Sequence, residues 1–374
     1  MDSTHYEICI VGAGIVGLST AYFLAKSGLK VVVLDKDSIG SHASGFAYGG
    51  LSPLGEAGDP ETILPVFDLA QLGMKKHLEF SSDIPELSGI DYHFRFRPAI
   101  DLVFNDEELT EAKQQIKWRQ QVENYKVEFI DRKSALEIVP NLNHELIGAT
   151  YTEGVCDVEP YKLVLALTQS CEKLGVEILN KEITGIQIEN HLATSVSTKH
   201  EKIYFEQLVL CMGPWSGNIS NWLGVNVPIR PLKGQILRLK SESVQLNASV
   251  GYLHNYAVTK PDGLIWAGTT EEDIGFQDSP TPYGRNSVLE SLTHMIHGLD
   301  EAELVYHTAC LRPLSKDGKV ILGPAPQTEN VFLGTGAGRK GILLGPGIAK
   351  ITADLVMNKQ PEIDISAFSV TRFL

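Results

Sequence analysis

Residues 8–35 read ICIVGAGIVGLSTAYFLAKSGLKVVVLD. The order is a short apolar strand, a glycine-rich turn, a helix, a second strand and a closing carboxylate. Ile8, Ile10 and Val11 supply the first strand. Gly12 permits the tight turn, Gly14 lets backbone amides approach a pyrophosphate, and Gly17 lets the helix pack close to the strand. Ala13, Ile15 and Val16 carry the remaining amides of the turn and of the helix start. An anion placed there meets unpaired N–H groups and the positive end of the helix dipole. Val31 to Leu34 forms the second strand, and Asp35 at its end, followed by Lys36, can accept hydrogen bonds from the hydroxyls of an adenosine ribose. A GxGxxG alone is weak evidence. With the strand, helix, second strand and acid all in place, the stretch reads as a dinucleotide site rather than a structural turn.

Working outward, a chain of 374 residues suggests about two domains, and its 43% hydrophobic and 21% charged residues are those of an ordinary globular protein. The net charge of −14 argues against a nucleic-acid partner, because phosphate binding needs clustered Lys and Arg. It leaves room for a small anionic substrate held by one or two local arginines. Cys9, Cys156, Cys171, Cys211 and Cys310 are widely spaced, with no CxxC, no zinc pattern and no disulfide framework. His42, His254 and His307 are scattered, so no metal site is expected. Met1 to Tyr6 lacks the features of a leader, and no apolar run reaches the ~18 residues of a membrane span. A cytoplasmic protein without a membrane span is expected.

Residues 40–58 (GSHASGFAYGGLSPLGEAG) are either a flexible loop or backbone packed against a flat cofactor. A helix is expected over 61–82, with apolar positions at Leu64, Phe67, Leu69, Leu72 and Met74. Strand character is expected over Tyr92 to Phe104, and a charged amphipathic helix over Asp106 to Asn124. Further on come a helix over Tyr161 to Leu174, strands over 176–179, 183–188 and 207–211, and strand-like runs over 234–239, 252–259 and 264–268. A helix follows over 287–297. At residues 331–357 a strand, a glycine-rich turn and a helix recur. Gly334, Gly336, Gly338 and Gly341, beside Arg339 and Lys340, again aim amides at a bound group. The cofactor domain is therefore discontinuous, over 1–85, 146–220 and 324–374. A substrate domain takes 86–145 and 221–323.

The segments GAGIVGLSTAYFLAKSG, ASGFAYGGLSPLGEAG, LVLCMGPWS, PLKGQILRL, LRPLSKDGKVILGPAP and GTGAGRKGILLGPGIAK occur in this order from Ile8 to about Asp354. Together they resemble the D-amino-acid oxidase superfamily of flavoproteins, nearest the glycine oxidase and sarcosine oxidase branch. The resemblance implies an α/β fold with an FAD-binding Rossmann-like domain of the glutathione-reductase type. It implies a second α+β domain on a mostly antiparallel sheet, FAD as the cofactor, and homo-oligomers as a common state. Ser44, Gly49, Gly50 and Leu51 would line the flavin and ribityl chain. Ile183 would lie toward the adenine, with Gly213 and Trp215 near the adenosine and pyrophosphate. Gly336 and the run Gly338, Arg339, Lys340, Gly341 and Ile342 would meet the isoalloxazine ring.

The chemistry so implied oxidises the C–N bond of a small amino acid by hydride transfer to flavin N5, with O2 reoxidising the flavin to give H2O2. It needs a carboxylate clamp and a well-placed phenol rather than a triad. Arg312, in CLRPLSKDG, matches the carboxylate-binding arginine, whose fork gives two parallel charge-assisted hydrogen bonds. Tyr256 matches a tyrosine touching the same carboxylate, and Arg339 a third polar residue near flavin and substrate.

Two departures bear on the branch. Glycine oxidases usually carry histidine at the position of Ala337 and asparagine at that of Lys340, and a lysine there resembles the sarcosine oxidases, where it binds the carboxylate. Cys310 lies where sarcosine oxidases join cysteine to the flavin. An 8α-thioether and a small buried thiol with non-covalent FAD are both open, the second being the default. The competing functions are a dehydrogenase that passes electrons to a quinone or carrier, a tRNA-modifying flavoenzyme, and a flavin-binding scaffold without turnover.

Overall fold

The computed structural model describes residues 5–54 and 60–374, without the side chains of residues 60–64. The leader reading at residues 1–4, the end of the glycine-rich stretch at 55–58 and the apolar position Leu64 lie outside the described residues. The chain begins β1 (His5–Val11), α1 (Ile15–Lys26), β2 (Val31–Asp35), β3 (Gly50–Leu51), α2 (Pro60–Ser88), β4 (Arg95–Phe96), β5 (Ala99–Val103) and α3 (Asp106–Arg119). It continues through β6 (Lys126–Asp131), α4 (Arg132–Ile138), β7 (Gly148–Glu153), β8 (Cys156–Asp157), α5 (Pro160–Lys173), β9 (Glu177–Asn180), β10 (Ile183–Glu189), β11 (Leu192–Thr198), β12 (Lys202–Leu210) and α6 (Ile219–Leu223). Last come β13 (Ile229–Lys240), β14 (Ser249–Tyr252), β15 (Asn255–Thr259), β16 (Ile265–Gly268), α7 (Pro282–Met295), β17 (Glu303–Ser315), β18 (Ile321–Pro324), β19 (Val331–Thr335) and α8 (Gly341–Val356).

The first sheet has the order β10-β11-β12-β1-β2-β9, with β19 paired to both β12 and β18. Its centre is parallel: β1 lies between β12 and β2, and β2 pairs with β9. Alternate residues of β1 and β2 enter opposite cores. Ile8, Ile10, Val31 and Val33 pack with α1, α2, α5 and α8, while Cys9, Val11, Val32 and Leu34 pack under β10–β12 and α6. Burial on both faces explains why these strands are continuous apolar runs. Gly17 sits where a Cβ would stand 1.8 Å from the Gly12 carbonyl oxygen, so helix and turn touch backbone to backbone.

The second sheet runs β17-β13-β16-β15-β14-β5-β7-β6, and all its pairs are antiparallel except β14 with β5. One face carries Ile100, Leu102, Leu237, Val250, Ala257 and Ala267 against α4 and α7. The two-residue period turns Asp101, Gly251 and Tyr256 to the other face, toward the first sheet. This mixed architecture is the expected one, a Rossmann-like cofactor sheet beside a mostly antiparallel sheet.

Several elements differ from their expected form. The run 252–259 is a hairpin, because Leu253 adopts φ +52° between β14 and β15. The helix expected to Asn124 stops at Arg119. Strand β17, thirteen residues long, had no expected counterpart, and it places Arg312 inside a sheet rather than beside a surface turn. Its weak alternation and Pro313 hide it. The structure supplies the ladder instead, with β13 paired along its length.

Candidate active site

A cleft runs from the first glycine turn to the face of the second sheet, and Gly14, Ala43, Ser44, Cys211 and Gly213 line both of its lobes. The narrow lobe is built at the C-terminal ends of β1, β2 and β12. Gly12 has φ +106°, and a Cβ there would stand 2.2 Å from the Cys211 carbonyl oxygen, so the turn and the chain after β12 touch. Helix α1 starts at Gly14 without a side-chain cap. Ile15 N–H donates to Ser44 Oγ at 3.0 Å, and Ala13 N–H to Asp35 Oδ2 at 2.7 Å. Asp35 Oδ1 accepts from Asp37 N–H at 3.0 Å, leaving lone pairs of the carboxylate for hydroxyl donors.

Farther along this lobe Lys36 Nζ lies 4.1 Å from the Trp215 ring centre, and His42 meets the same ring edge-on at 4.6 Å. His42 Nε2 is 2.7 Å from Asp37 Oδ2. Ile183, Gly213 and Trp215 line this end. His42, one of the scattered histidines of the sequence, belongs to this wall. A narrow, amide-lined lobe flanked by an acid and a flat aromatic ring fits the adenosine and pyrophosphate of an extended dinucleotide.

The wide lobe is a cavity of about 740 Å³. Gly14, Ile15, Val16, Ser44, Gly50 and Leu51 form one wall, and Gly336, Gly338, Arg339, Lys340, Gly341 and Ile342 a second. The second sheet forms the third, with Tyr256, Cys310 and Arg312. Of the residues singled out in the sequence, Gly17 and Gly49 do not line the cleft. Gly17 packs the helix. Gly49 turns the chain at φ +81°, and its carbonyl accepts from Val158 N–H at 2.9 Å.

On the third wall the polar side chains lie flat across glycines of neighbouring strands. Arg312 covers Gly234, where a Cβ would stand 2.1 Å from a guanidinium nitrogen. Its Nη1 donates to the Thr270 carbonyl at 3.1 Å and its Nη2 to Thr269 Oγ1 at 2.6 Å. That fixes the fork and leaves three of its five N–H groups for a ligand. Tyr256 covers Gly268 and stacks on Tyr48 with ring centres 3.9 Å apart. Burial pushes the Tyr256 phenol well above its ordinary range, with Arg312 opposing, so it stays a donor at neutral pH. Tyr48 is itself anchored by a hydrogen bond between its hydroxyl and Ser249 Oγ.

Arg339 forms a two-pronged ion pair with Glu271 at the rim. Burial raises the Glu271 pKa, but the Arg339 hydrogen bond and the charges of Arg339 and Arg312 outweigh it and hold the carboxyl below its usual range. Burial pushes the Cys310 thiol up, with Arg312 opposing. Among the described residues no group of three or more His, Cys, Asp or Glu side chains could hold a metal ion, and no helix is long and apolar enough to cross a membrane.

Glu271, Gly234, Gly251, Gly268 and Asp101 escaped the sequence reading. Gly234 and Gly268 bound strand-like runs and Gly251 directly precedes one, and an isolated glycine in a strand signals a close approach. That signal was present but says nothing about which side chain approaches.

The sequence profile of the FAD dependent oxidoreductase family matches residues 7–355. The glycine oxidase of Bacillus subtilis (strain 168) is 26% identical over 370 residues, covering 98% of each chain. That of Pseudomonas putida is 30% identical over 366 residues, covering 97% of this chain and 98% of the other. The crystal structure of glycine oxidase from Geobacillus kaustophilus superposes with a TM-score of 0.93 at 26% identity and 99% coverage of both chains.

Proposed function

The chain belongs to the FAD dependent oxidoreductase family, and from that premise we propose that it oxidises the C–N bond of a small amino acid of the glycine, sarcosine or D-amino-acid type. It is an FAD-dependent amine or amino-acid oxidoreductase. FAD held by the glycine turns would supply a hydride acceptor at flavin N5 and, with O2 as the oxidant, a route for the substrate's electrons to H2O2. Arg312 takes the substrate carboxylate through its free N–H groups, and Tyr256 donates its phenolic hydrogen to the same carboxylate. The Tyr48 stack holds that phenol in place. Arg339 and Lys340 complete the set at the mouth, where Glu271 orients Arg339. The glycine turns at both ends of the chain carry the FAD contacts, and the division into cofactor and substrate domains over the ranges given above belongs to this reading. So does a cytoplasmic setting, which suits the free cysteines.

The observation that carries the proposal is the convergence of Arg312 and Tyr256 on the cavity that the C-terminal glycine turn and Leu51 also line. The test is the visible spectrum of the holoenzyme without oxygen, before and after glycine, sarcosine, L-proline and D-amino acids. Bleaching of the flavin band is expected with at least one of them, and with Arg312→Ala the KM should rise tens- to hundreds-fold, as a net loss of roughly 1.5–3 kcal/mol of charge-assisted hydrogen bonding implies. A band that none of them bleaches refutes the reading. In air, turnover without peroxide would replace the oxidase by a dehydrogenase using a carrier.

Cys310 is read as a small buried thiol beside non-covalently held FAD, the default for a buried cysteine, and the upward push of burial on its pKa agrees with that. Acid precipitation should leave all yellow colour in the supernatant. Colour in the pellet would restore the thioether.

A further inference from the structure

The wide lobe extends past Tyr256 along one row of the second sheet. Tyr256 on β15 pairs with Gly251 on β14, which pairs with Asp101 on β5, which pairs with Thr150 on β7. Residues in register across neighbouring strands share a face, so Asp101 points to the same side as Tyr256. Two strand spacings separate their backbones, roughly 10 Å. Gly251 lets Asp101 lean back toward the phenol, since a Cβ on Gly251 would stand 2.4 Å from Asp101 Oδ1.

Behind Asp101 stands Arg119, the last residue of α3. Glu108, Glu111, Gln115 and Arg119 recur at helical spacing and all line the cavity. Glu108 is already engaged: it accepts hydrogen bonds from Phe104 N–H, Asn105 Nδ2 and the Tyr252 hydroxyl. Arg119 is not. Its side chain is 9% exposed and makes no hydrogen bond among the described residues. Its nearest acidic atom is Asp101 Oδ2, 3.8 Å from Nη1, which is beyond hydrogen-bond reach. The Asp101 carboxylate likewise accepts no hydrogen bond among the described residues and faces the cleft with 56% of its side chain exposed. The two are an ion pair at 3.8 Å, but neither completes the other's hydrogen bonds, and a guanidinium this buried without an acceptor is costly unless another group supplies one.

The pair is balanced in charge, so a charged ligand group would meet one partner of its own sign. A neutral group that donates on one side and accepts on the other satisfies both. We propose that Asp101 and Arg119 form a distal subsite for a carboxamide on the side chain of the amino-acid substrate, the amide N–H groups donating to Asp101 and its oxygen accepting from Arg119. The enzyme then selects asparagine- or glutamine-like substrates over apolar ones of equal size. This rests on the amino-acid reading given above, with the α-carboxylate at Arg312 and Tyr256.

The subsite can be tested apart from turnover. Succinamate carries a carboxylate and a carboxamide but no amine, and 4-methylpentanoate replaces the amide by two methyl groups. Titrating each into oxidised holoenzyme and following the flavin spectrum should show succinamate binding at least tenfold tighter, the size expected for hydrogen bonds to charged groups. In Asp101→Ala and Arg119→Gln proteins that retain FAD, the ratio of the two affinities should fall toward one. Equal affinities in the unaltered protein, a ratio that survives both substitutions, or tighter binding of succinate than of succinamate overturns the subsite. In the second arm the flavin is reduced anaerobically by D- and L-asparagine and glutamine, compared with leucine and norvaline. Reduction by amino acids without a carboxamide preference overturns the subsite alone. No reduction by any amino acid overturns the amino-acid reading, and the ligand titration then decides the subsite by itself.

Discussion

A methyl group on Gly234 would stand 2.1 Å from a guanidinium nitrogen of Arg312. Gly234→Ala should therefore displace the guanidinium without touching the FAD wall. Its KM should rise tens-fold, as in Arg312→Ala, while FAD content stays unchanged. Steady-state kinetics beside the flavin absorbance checks this, and an unchanged KM would mean that Arg312 does not hold the substrate. A second residue-scale effect involves Pro346 within α8, which has no N–H to give the Ile342 carbonyl. His77 Nε2 donates to that carbonyl instead, at 2.8 Å. Burial lowers the His77 pKa from 6.5 to about 4, with the bond to Ile342 opposing. Between these values the unfolded chain binds a proton that the folded one refuses. Stability is thus fully present above pH 6.5 and declines as pH falls toward 4, by at most about 3 kcal/mol. His77→Gln keeps a donor and does not titrate, so denaturant midpoints of that variant should fall less steeply over this window. Parallel slopes would remove His77 as the cause.

At the scale of elements, α8 carries the C-terminal glycine turn, and its position is set where it crosses α2. A Cβ on Gly73 would stand 2.2 Å from the Leu343 carbonyl oxygen, and one on Gly347 would stand 2.9 Å from Gly73 N. The helices touch backbone to backbone, so a side chain at Gly73 pushes the start of α8, and Ile342 with it, out of the cavity wall. Gly73→Val should weaken FAD binding at least tenfold while circular dichroism stays near that of the unaltered protein. Unchanged FAD affinity would show that the turn holds its place without the crossing. Strand β13 has a comparable role in the second sheet: pairing with β17 on one side and β16 on the other, it carries Gly234 under Arg312.

For the whole molecule, the cleft belongs to both sheets, and a cofactor lying along it contacts segments from the first glycine turn to α8. FAD bound only by the folded chain should stabilise it by RT ln(1 + [FAD]/Kd), about 2.7 kcal/mol at a hundredfold excess over Kd. Thermal unfolding of deflavinated protein should shift upward with the logarithm of added FAD. A midpoint independent of FAD would contradict a cleft formed by the fold.

Much of this was legible along the chain. The apolar run Val31 to Leu34, the glycines at 12, 14 and 17 and the acid at 35 carry local constraints, because backbone freedom, burial period and charge are properties of neighbouring residues. The recurrence at residues 331–357 is local in the same sense, and the resemblance that these motifs carry in their order is what implied FAD and the two-sheet class of fold. The tertiary structure decided what depends on pairing between distant strands. Leu253 gives no warning of a turn, and β17 is weakly patterned. The row from Tyr256 through Gly251 to Asp101 exists only because β14 pairs with β5, about 150 residues earlier. Register across a sheet fixes which side chains share a face, and no local pattern encodes it. Asp101 and Arg119 therefore carry no mark in the sequence, and it is the second sheet that brings them to the cavity of Arg312.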